Sequence, residues 1–429
     1  MLAAALLLLF MAAPMVYAST PRSWKIEVSL SRGGALLIKP AVYHNALTVF
    51  MPDNTSLLGV RAADGVLVLN ISFPEPVENY AVIGESIAVL AGHTIYMYSG
   101  GAKRVLAKLP NASFSPVTEL YMPVVGDDAF LPLNHSLAVI TPYKYRVVPL
   151  NTDIQYILGL NDLVAVAYTN NTVALLDPAS LKPVWKTSLN LGEKAGMFLL
   201  RTGVPGVLGI SAAKVINITA VHNAVRGYVM LVNASSGKIF FNATLTDEFP
   251  VALMLSGDKL YMVTYQPVTR TMGFSAFMLG VNKPFINRTL SLDAGVPLFL
   301  RCGKKVRILL YTNYYNVSLV TPTFTRPMVE VYSSEGGELH RYIVSTKAQI
   351  YMQIGGFKVV SLDGRHGIIM AYMPYTGLKP IVLFYVPKPD VCLTSRIVEG
   401  YGGRASLYAA SIMLLITAAS LFKRQGEEE

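Results

Sequence analysis

The sequence is poor in charge. Asp, Glu, Lys and Arg make up 14% of its 429 residues, against roughly 25% in an ordinary soluble domain. A bare surface of this composition would be short of hydration. Two cysteines, Cys302 and Cys392, are too few for a disulfide framework or a thiolate zinc site, and leave open a single bridge or two free thiols. The histidines, at positions 44, 93, 135, 222, 340 and 366, have no partner two or four residues away, which excludes a His-Glu-x-x-His centre. No Gly-x-Ser-x-Gly elbow occurs either. Lys and Arg outnumber Asp and Glu by 36 to 26, yet no basic run exceeds two residues, so the chain lacks a nucleic-acid footprint. The pair Asp127-Asp128 falls at a turn between strand-like runs and reads as solvated carboxylates, not a metal site.

What the chain does have begins at its ends. Residues 1–18, MLAAALLLLFMAAPMVYA, form an apolar run too short to span a bilayer, followed by small residues before a cut, and read as a signal peptide. Residues 405–422, ASLYAASIMLLITAASLF, are uncharged between Arg404 and Lys423-Arg424 and long enough for most of a hydrocarbon core of about 30 Å. They read as a transmembrane helix, with 423–429 as a cytoplasmic tail and 388–404 as a stalk. The body, 19–387, is then outside the cell.

Asn-x-Ser/Thr acceptors test that address independently. They start at Asn54, Asn70, Asn111, Asn134, Asn170, Asn217, Asn233, Asn242, Asn287 and Asn316, where chance pairing of Asn with Ser and Thr gives about two or three. All lie between the apolar ends. Sugar there would supply the hydration that the missing charges do not.

The body is a succession of five-to-eight-residue runs rich in β-branched and aromatic residues, punctuated by Gly, Asn, Asp, Pro and Ser, which predicts strands. The clearest unit is Ile154 to Leu189: IQYILGL, DLVAVAYTN, NTVALLDPAS and KPVWKTSL. Four strands are joined by three turns, the third ending in Asp177-Pro178-Ala179-Ser180 and the fourth carrying Trp185. This unit resembles a blade of the quinoprotein-like (PQQ-like repeat) β-propellers. The layout recurs at Glu78–Leu109, Arg226–Leu245 and Met328–Val344. Outer strands are expected near Val66–Phe73, Lys103–Leu109, Tyr145–Leu150, Pro183–Leu189, Lys238–Leu245, Pro284–Leu292 and Glu338–Ser345. Three further strands follow, at Ala348–Ile354, Phe357–Leu362 and Lys379–Val386, with no outer strand of their own. The alternating SWKIEVSL, Ser23–Leu30, would supply it and remove a sheet edge. The expectation is an all-β, eight-bladed β-propeller of four-stranded antiparallel blades, closed by the amino-terminal strand, with seven blades as the alternative.

The resemblance implies a quinone and Ca²⁺ over the ring centre in the family's dehydrogenases, with an Asp base. Those positions find no match here, so no cofactor, metal or catalytic residue is assigned. Connections between second and third strands lengthen in the later blades, over Thr219–Gly227, Tyr265–Gly273, Thr312–Arg326 and Asp363–Leu378. They bring Tyr265, Arg270, Tyr314, Tyr315, Arg326, Arg365, Tyr372 and Tyr375 toward one face, the aromatic and Arg mixture that interfaces favour. In low charge, many tyrosines and dense acceptors the chain also resembles archaeal cell-surface proteins. It is read as a membrane-anchored, N-glycosylated binding or assembly module whose partner is a cell-surface protein or glycan. The alternatives are a membrane-tethered quinoprotein-like oxidoreductase or glycan-active hydrolase, and a passive surface-coat component.

Overall fold

The computed structural model describes residues 23–29, 37–109, 122–192, 195–218, 223–269, 271–281, 283–291, 296–302, 305–315, 325–343, 351–362, 365–374, 381–385 and 395–398. The signal and membrane segments, and Cys392, lie outside them. Every regular element among the described residues is a strand.

The first strand in the chain, β1 (Trp24–Glu27), belongs to the last sheet. The first sheet is β2 (Lys39–Tyr43), β3 (Ala46–Asp53), β4 (Ser56–Arg61) and β5 (Leu67–Ser72), and the second is β6 (Val77–Ile83), β7 (Ser86–Ala91), β8 (Thr94–Ser99) and β9 (Ala102–Lys108). The third is β10 (Val124–Val125), β11 (Asp128–Leu133), β12 (Ser136–Ile140) and β13 (Tyr145–Pro149). The fourth is β14 (Ile154–Leu160), β15 (Leu163–Tyr168), β16 (Thr172–Leu176) and β17 (Pro183–Ser188), and the fifth β18 (Gly196–Arg201), β19 (Val207–Ile218), β20 (Asn223–Asn233) and β21 (Ile239–Thr246). The sixth is β22 (Phe249–Ser256), β23 (Lys259–Gln266), β24 (Thr271–Met278) and β25 (Pro284–Ser291). The seventh contains β26 (Val296–Cys302), β27 (Lys305–Tyr315), β28 (Thr325–Ser333) and β29 (Glu338–Ile343). The last contains β30 (Tyr351–Leu362), β31 (Arg365–Pro374) and β32 (Ile381–Tyr385), with β1 on its outer edge, and β33 (Ser395–Val398) adds to the seventh beside β26. Among the described residues there are thus seven four-stranded sheets and one of five strands, all antiparallel, six of them simple meanders and two completed by a strand distant in sequence, and the fold is a β-propeller.

The radial order follows from the sequence. First strands of neighbouring sheets touch in series, β6 to β10, β14, β18, β22, β26 and β30, which places them innermost. Strands packed between two neighbouring sheets are apolar on both faces: SIAVLA in β7 and TVALL in β16 are buried at every position. Outermost strands alternate or are largely exposed, as in PVWKTS of β17 and AKRVLAK of β9. The seven outer strands expected from sequence coincide with β5, β9, β13, β17, β21, β25 and β29 within a few residues at their ends.

Two indoles join sheets in the same way. Trp185 of β17 donates its Nε1 hydrogen to Ala234 O in the next sheet at 2.7 Å and covers Gly237, whose φ is +68° and where a Cβ would lie 2.8 Å from the ring. Trp24 of β1 donates to Ala62 O of the first sheet at 3.0 Å and covers Gly65, φ +75°, where a Cβ would lie 2.6 Å from the indole. Only glycine fits beneath either ring. β1 pairs antiparallel with β32, Trp24 opposite Phe384, as the alternation of Ser23–Leu30 predicts. Trp24 and Ile369 of the last sheet share a buried cluster with Val49, Met51, Leu58 and Val60 of the first, so the last sheet packs on the first.

One expectation is corrected. Ala348–Ile354 and Phe357–Leu362 are not separate strands, because β30 runs through Gly355-Gly356 with shifts in register instead of turning there. The partner of β30 is β31, in a stretch that the sequence reading gave to a loop. Within the segment expected as a stalk, Ser395–Val398 pair with β26.

Candidate functional site

Antiparallel order gives the molecule two faces. Turns between first and second, and between third and fourth, strands lie on one, the 1–2 face. Turns between second and third strands, and crossings between sheets, lie on the other, the 2–3 face. The predicted tyrosine and arginine set belongs mainly to the 2–3 side. Tyr265 ends β23 half-buried, its ring edge-on to Phe249 with centroids 5.8 Å apart. Tyr314 and Tyr315 close β27, with Arg326 and Thr325 of β28 as their Cα partners. Tyr372 lies near the 2–3 end of β31, opposite Ile354 and Ile381. Arg270 and Tyr375 lie outside the described residues.

Arg365 is a correction. It opens β31 opposite Leu362, beside the β30–β31 turn, and so sits on the 1–2 side at the far end of the strand from Tyr372. The long connections are corrected too, since strand extends into each of them. β19 reaches Ile218, β27 reaches Tyr315, and only residues 267–270 separate β23 from β24.

The acceptor asparagines sort by face. Asn54, Asn134 and Asn170 occupy 2–3 turns, and Asn217 lies near the 2–3 end of β19. Asn70, Asn242 and Asn287 are on outer strands, and Asn233 ends β20 at a 3–4 turn. Asn111 and Asn316 lie outside the described residues. Each of the seven whose exposure is described, Asn54, Asn70, Asn134, Asn170, Asn233, Asn242 and Asn287, is exposed. Among the residues whose burial is described two asparagines are buried, Asn79 and Asn171, and neither begins an acceptor triplet.

The 1–2 face carries charge both near the centre and at the rim, where Asp64, Asp177 and Glu335 also lie in turns between third and fourth strands. Glu85, Asp127, Asp162 and Asp258 stand exposed in turns between first and second strands, near the centre. Lys144, Lys182, Lys238 and Lys283 each stand exposed immediately before an outer strand, at the rim. Asp128, beside Asp127, has its carboxyl pushed up, chiefly by burial, against the pull of Arg146.

At the centre the charges are structural ties. Lys39 Nζ donates to Asn79 Oδ1 at 2.9 Å and to Tyr80 O; Arg201 Nη2 donates to Gly159 O at 2.9 Å; Arg301 Nη2 donates to Ser256 Oγ at 3.4 Å. Each joins the first strands of two neighbouring sheets. A quinone and Ca²⁺ would need converging carboxylates, but the eight first strands contain a single one, Glu78, against Lys39, Arg201, Arg301 and Lys358. The residues do not fit that group. Among the described residues no three His, Cys, Asp or Glu side chains gather as a metal set.

Sequence reading missed two buried carboxylates. Glu248 Oε2 accepts from Thr264 Oγ1 at 2.7 Å and Gln266 Nε2 at 3.5 Å, and Glu330 Oε2 accepts from the Tyr332 hydroxyl at 2.8 Å. The adjacent acids Asp247-Glu248 were a signal available in the sequence; Glu330 offered none.

No protein-family profile matches the sequence, and no curated protein matches it. Solved structures do match in backbone. BamB from Moraxella catarrhalis is similar with a TM-score of 0.54 at 11% identity, over 85% of this chain and 98% of that one. Sqt1 of Saccharomyces cerevisiae is similar with a TM-score of 0.55 at 8% identity, over 86% and 98%. A quinohemoprotein alcohol dehydrogenase from Pseudomonas putida HK5 is similar with a TM-score of 0.51 at 8% identity, over 86% and 78%. All are β-propellers, a PQQ-like repeat type among them, so the likeness read from the blade sequence holds at the level of the fold.

Proposed function

We propose that the chain is a glycosylated ectodomain anchored outside the cell by residues 405–422, in which each of the eight sheets is a blade of one ring, and that it acts by binding or assembly. Its partner is a cell-surface protein or glycan, met through Tyr265, Tyr314, Tyr315, Arg326 and Tyr372 on the 2–3 side. The observation that carries the reading is that all seven acceptor asparagines whose burial is described are exposed, as are four of the six other asparagines so described, Asn79 and Asn171 being the buried two. Modification requires an accessible amide in the folded product, and each of the seven acceptor positions provides one. The carboxylate-poor centre supports binding over quinone-dependent oxidation.

Alkaline carbonate extraction of membranes tests the anchor. The full chain should stay in the pellet, and a chain ending at Glu399 should be released with its β-sheet circular dichroism unchanged. Equal partition of the two chains would overturn the anchored reading.

A further inference from the structure

Sheet seven differs from the others at the centre. Its first strand, β26, accepts a fifth strand on its free inner edge: Cys302 pairs with Ser395, Arg301 with Arg396, Leu300 with Ile397 and Phe299 with Val398. Because the first strands surround the centre, an addition to that edge lies on the axial side. β32 ends at Tyr385 on the 1–2 side, and residues 386–394, at about 3.3 Å each, can cross from there to Ser395. β26 runs from the 2–3 face to the 1–2 face. β33 is antiparallel to it and so runs back toward the 2–3 face.

The length of chain beyond β33 then matters. Six residues, 399–404, precede Ala405, with a reach of about 20 Å when extended. Roughly half of that is needed to pass the remainder of β26, Val296–Leu298. Residue 405 therefore starts within about 10 Å of the centre of the 2–3 face.

We propose that residues 395–398 are an axial tether, docked on the inner edge of β26, that holds the 2–3 face toward the membrane and turns the 1–2 face outward. The orientation rests on the membrane reading of 405–422 given above; the docking does not. In that orientation the acceptors that lie in or near turns fall mostly on the membrane-facing side. Asn54, Asn134, Asn170 and Asn217 lie on the 2–3 side, and Asn233 at a peripheral turn is the one acceptor among the described residues that lies in a turn of the 1–2 side. The outward face is thus left bare of sugar around its acidic inner turns. Partners of the tyrosine set on the 2–3 side are then confined to those held at the same membrane.

The test uses the full chain in its membranes. With Cys392→Ser in place, Ser395→Cys should form a disulfide with Cys302, found as a linked peptide without reductant. Val398→Cys should not, because its partner is Phe299, three residues from Cys302. No link in Ser395→Cys, or equal linking of the two variants, would overturn axial docking. For orientation, Asp162→Cys on the 1–2 side and His93→Cys on the 2–3 side, each with both native cysteines changed to Ser, are labelled with a bulky polyethylene-glycol maleimide. Asp162→Cys should label several-fold faster in membranes, and the two rates should converge in detergent. Equal rates in membranes alongside a Cys302–Ser395→Cys link would overturn the orientation alone, and recovery of the chain in the soluble fraction would overturn the anchor.

Discussion

β14 and β17 belong to one sheet and are made differently. Every residue of IQYILGL in β14 is buried, including Gln155, which donates to Ala195 O at 2.9 Å and accepts from Met197 N at 3.2 Å. In PVWKTS of β17 no residue is fully buried, and Trp185 and Thr187 carry its hydrogen bonds to the next sheet, to Ala234 O and Gly237 O. The inner strands are where the molecule is held together, and the outer strands and faces are where it can meet something.

Truncation of an inner side chain gives the sharpest contrast. Phe198→Ala in β18 removes a buried ring packed against Tyr156 and Phe249 and should cost about 3–5 kcal/mol in denaturant unfolding. Phe240→Ala on exposed β21 should stay within about 0.5 kcal/mol. Equal costs would erase the distinction between centre and rim. Trp185 is the next test. Trp185→Ala should cost about 3 kcal/mol, whereas Trp185→Phe, which keeps a ring over Gly237 but leaves Ala234 O without its donor, should cost about 1 kcal/mol.

Neighbouring asparagines separate the two roles further. Asn171 is buried and its Oδ1 accepts from Ala195 N at 3.2 Å, so Asn171→Ala should destabilise by about 1–2 kcal/mol and leave sugar content unchanged. Asn170→Gln should do the opposite, removing one glycan from the intact mass without moving the midpoint. The smallest effect is expected at Asp64 on the rim, whose carboxyl is held below the usual range by the hydrogen bond from Arg61. A depressed folded-state value stabilises above the ordinary carboxylate range and fades as pH falls through it. Between about pH 6 and pH 3 the native chain should therefore lose slightly more stability than Asp64→Asn, by an amount kept small by solvent screening.

Much of the fold was legible because each blade announces its end. Asp177-Pro178-Ala179-Ser180 before Trp185, and Gly100-Gly101 before β9, are turn chemistry followed by a strand that alternates or carries charge. The last sheet was not legible for the same reason reversed. Gly355-Gly356 looks like a turn, but the ladder to β31 continues through it with shifts in register. The error moved Arg365 to the wrong face, because misplacing one turn inverts the direction of the strand after it. Buried pairs such as Glu248 with Thr264 could not be read, since their meeting depends on the β22–β23 pairing. The sorting of acceptors by face was equally hidden, because it appears only when strand direction is known. β33 has nothing in its SRIV sequence to distinguish it from a linker.

The central claim is that this ring is an external, sugar-bearing module. Glycopeptide mass mapping of the chain purified from its native membranes tests it most directly. The account predicts sugar on several of Asn54, Asn70, Asn134, Asn170, Asn233, Asn242 and Asn287. An unmodified asparagine at all seven, in peptides that cover each position, would contradict it.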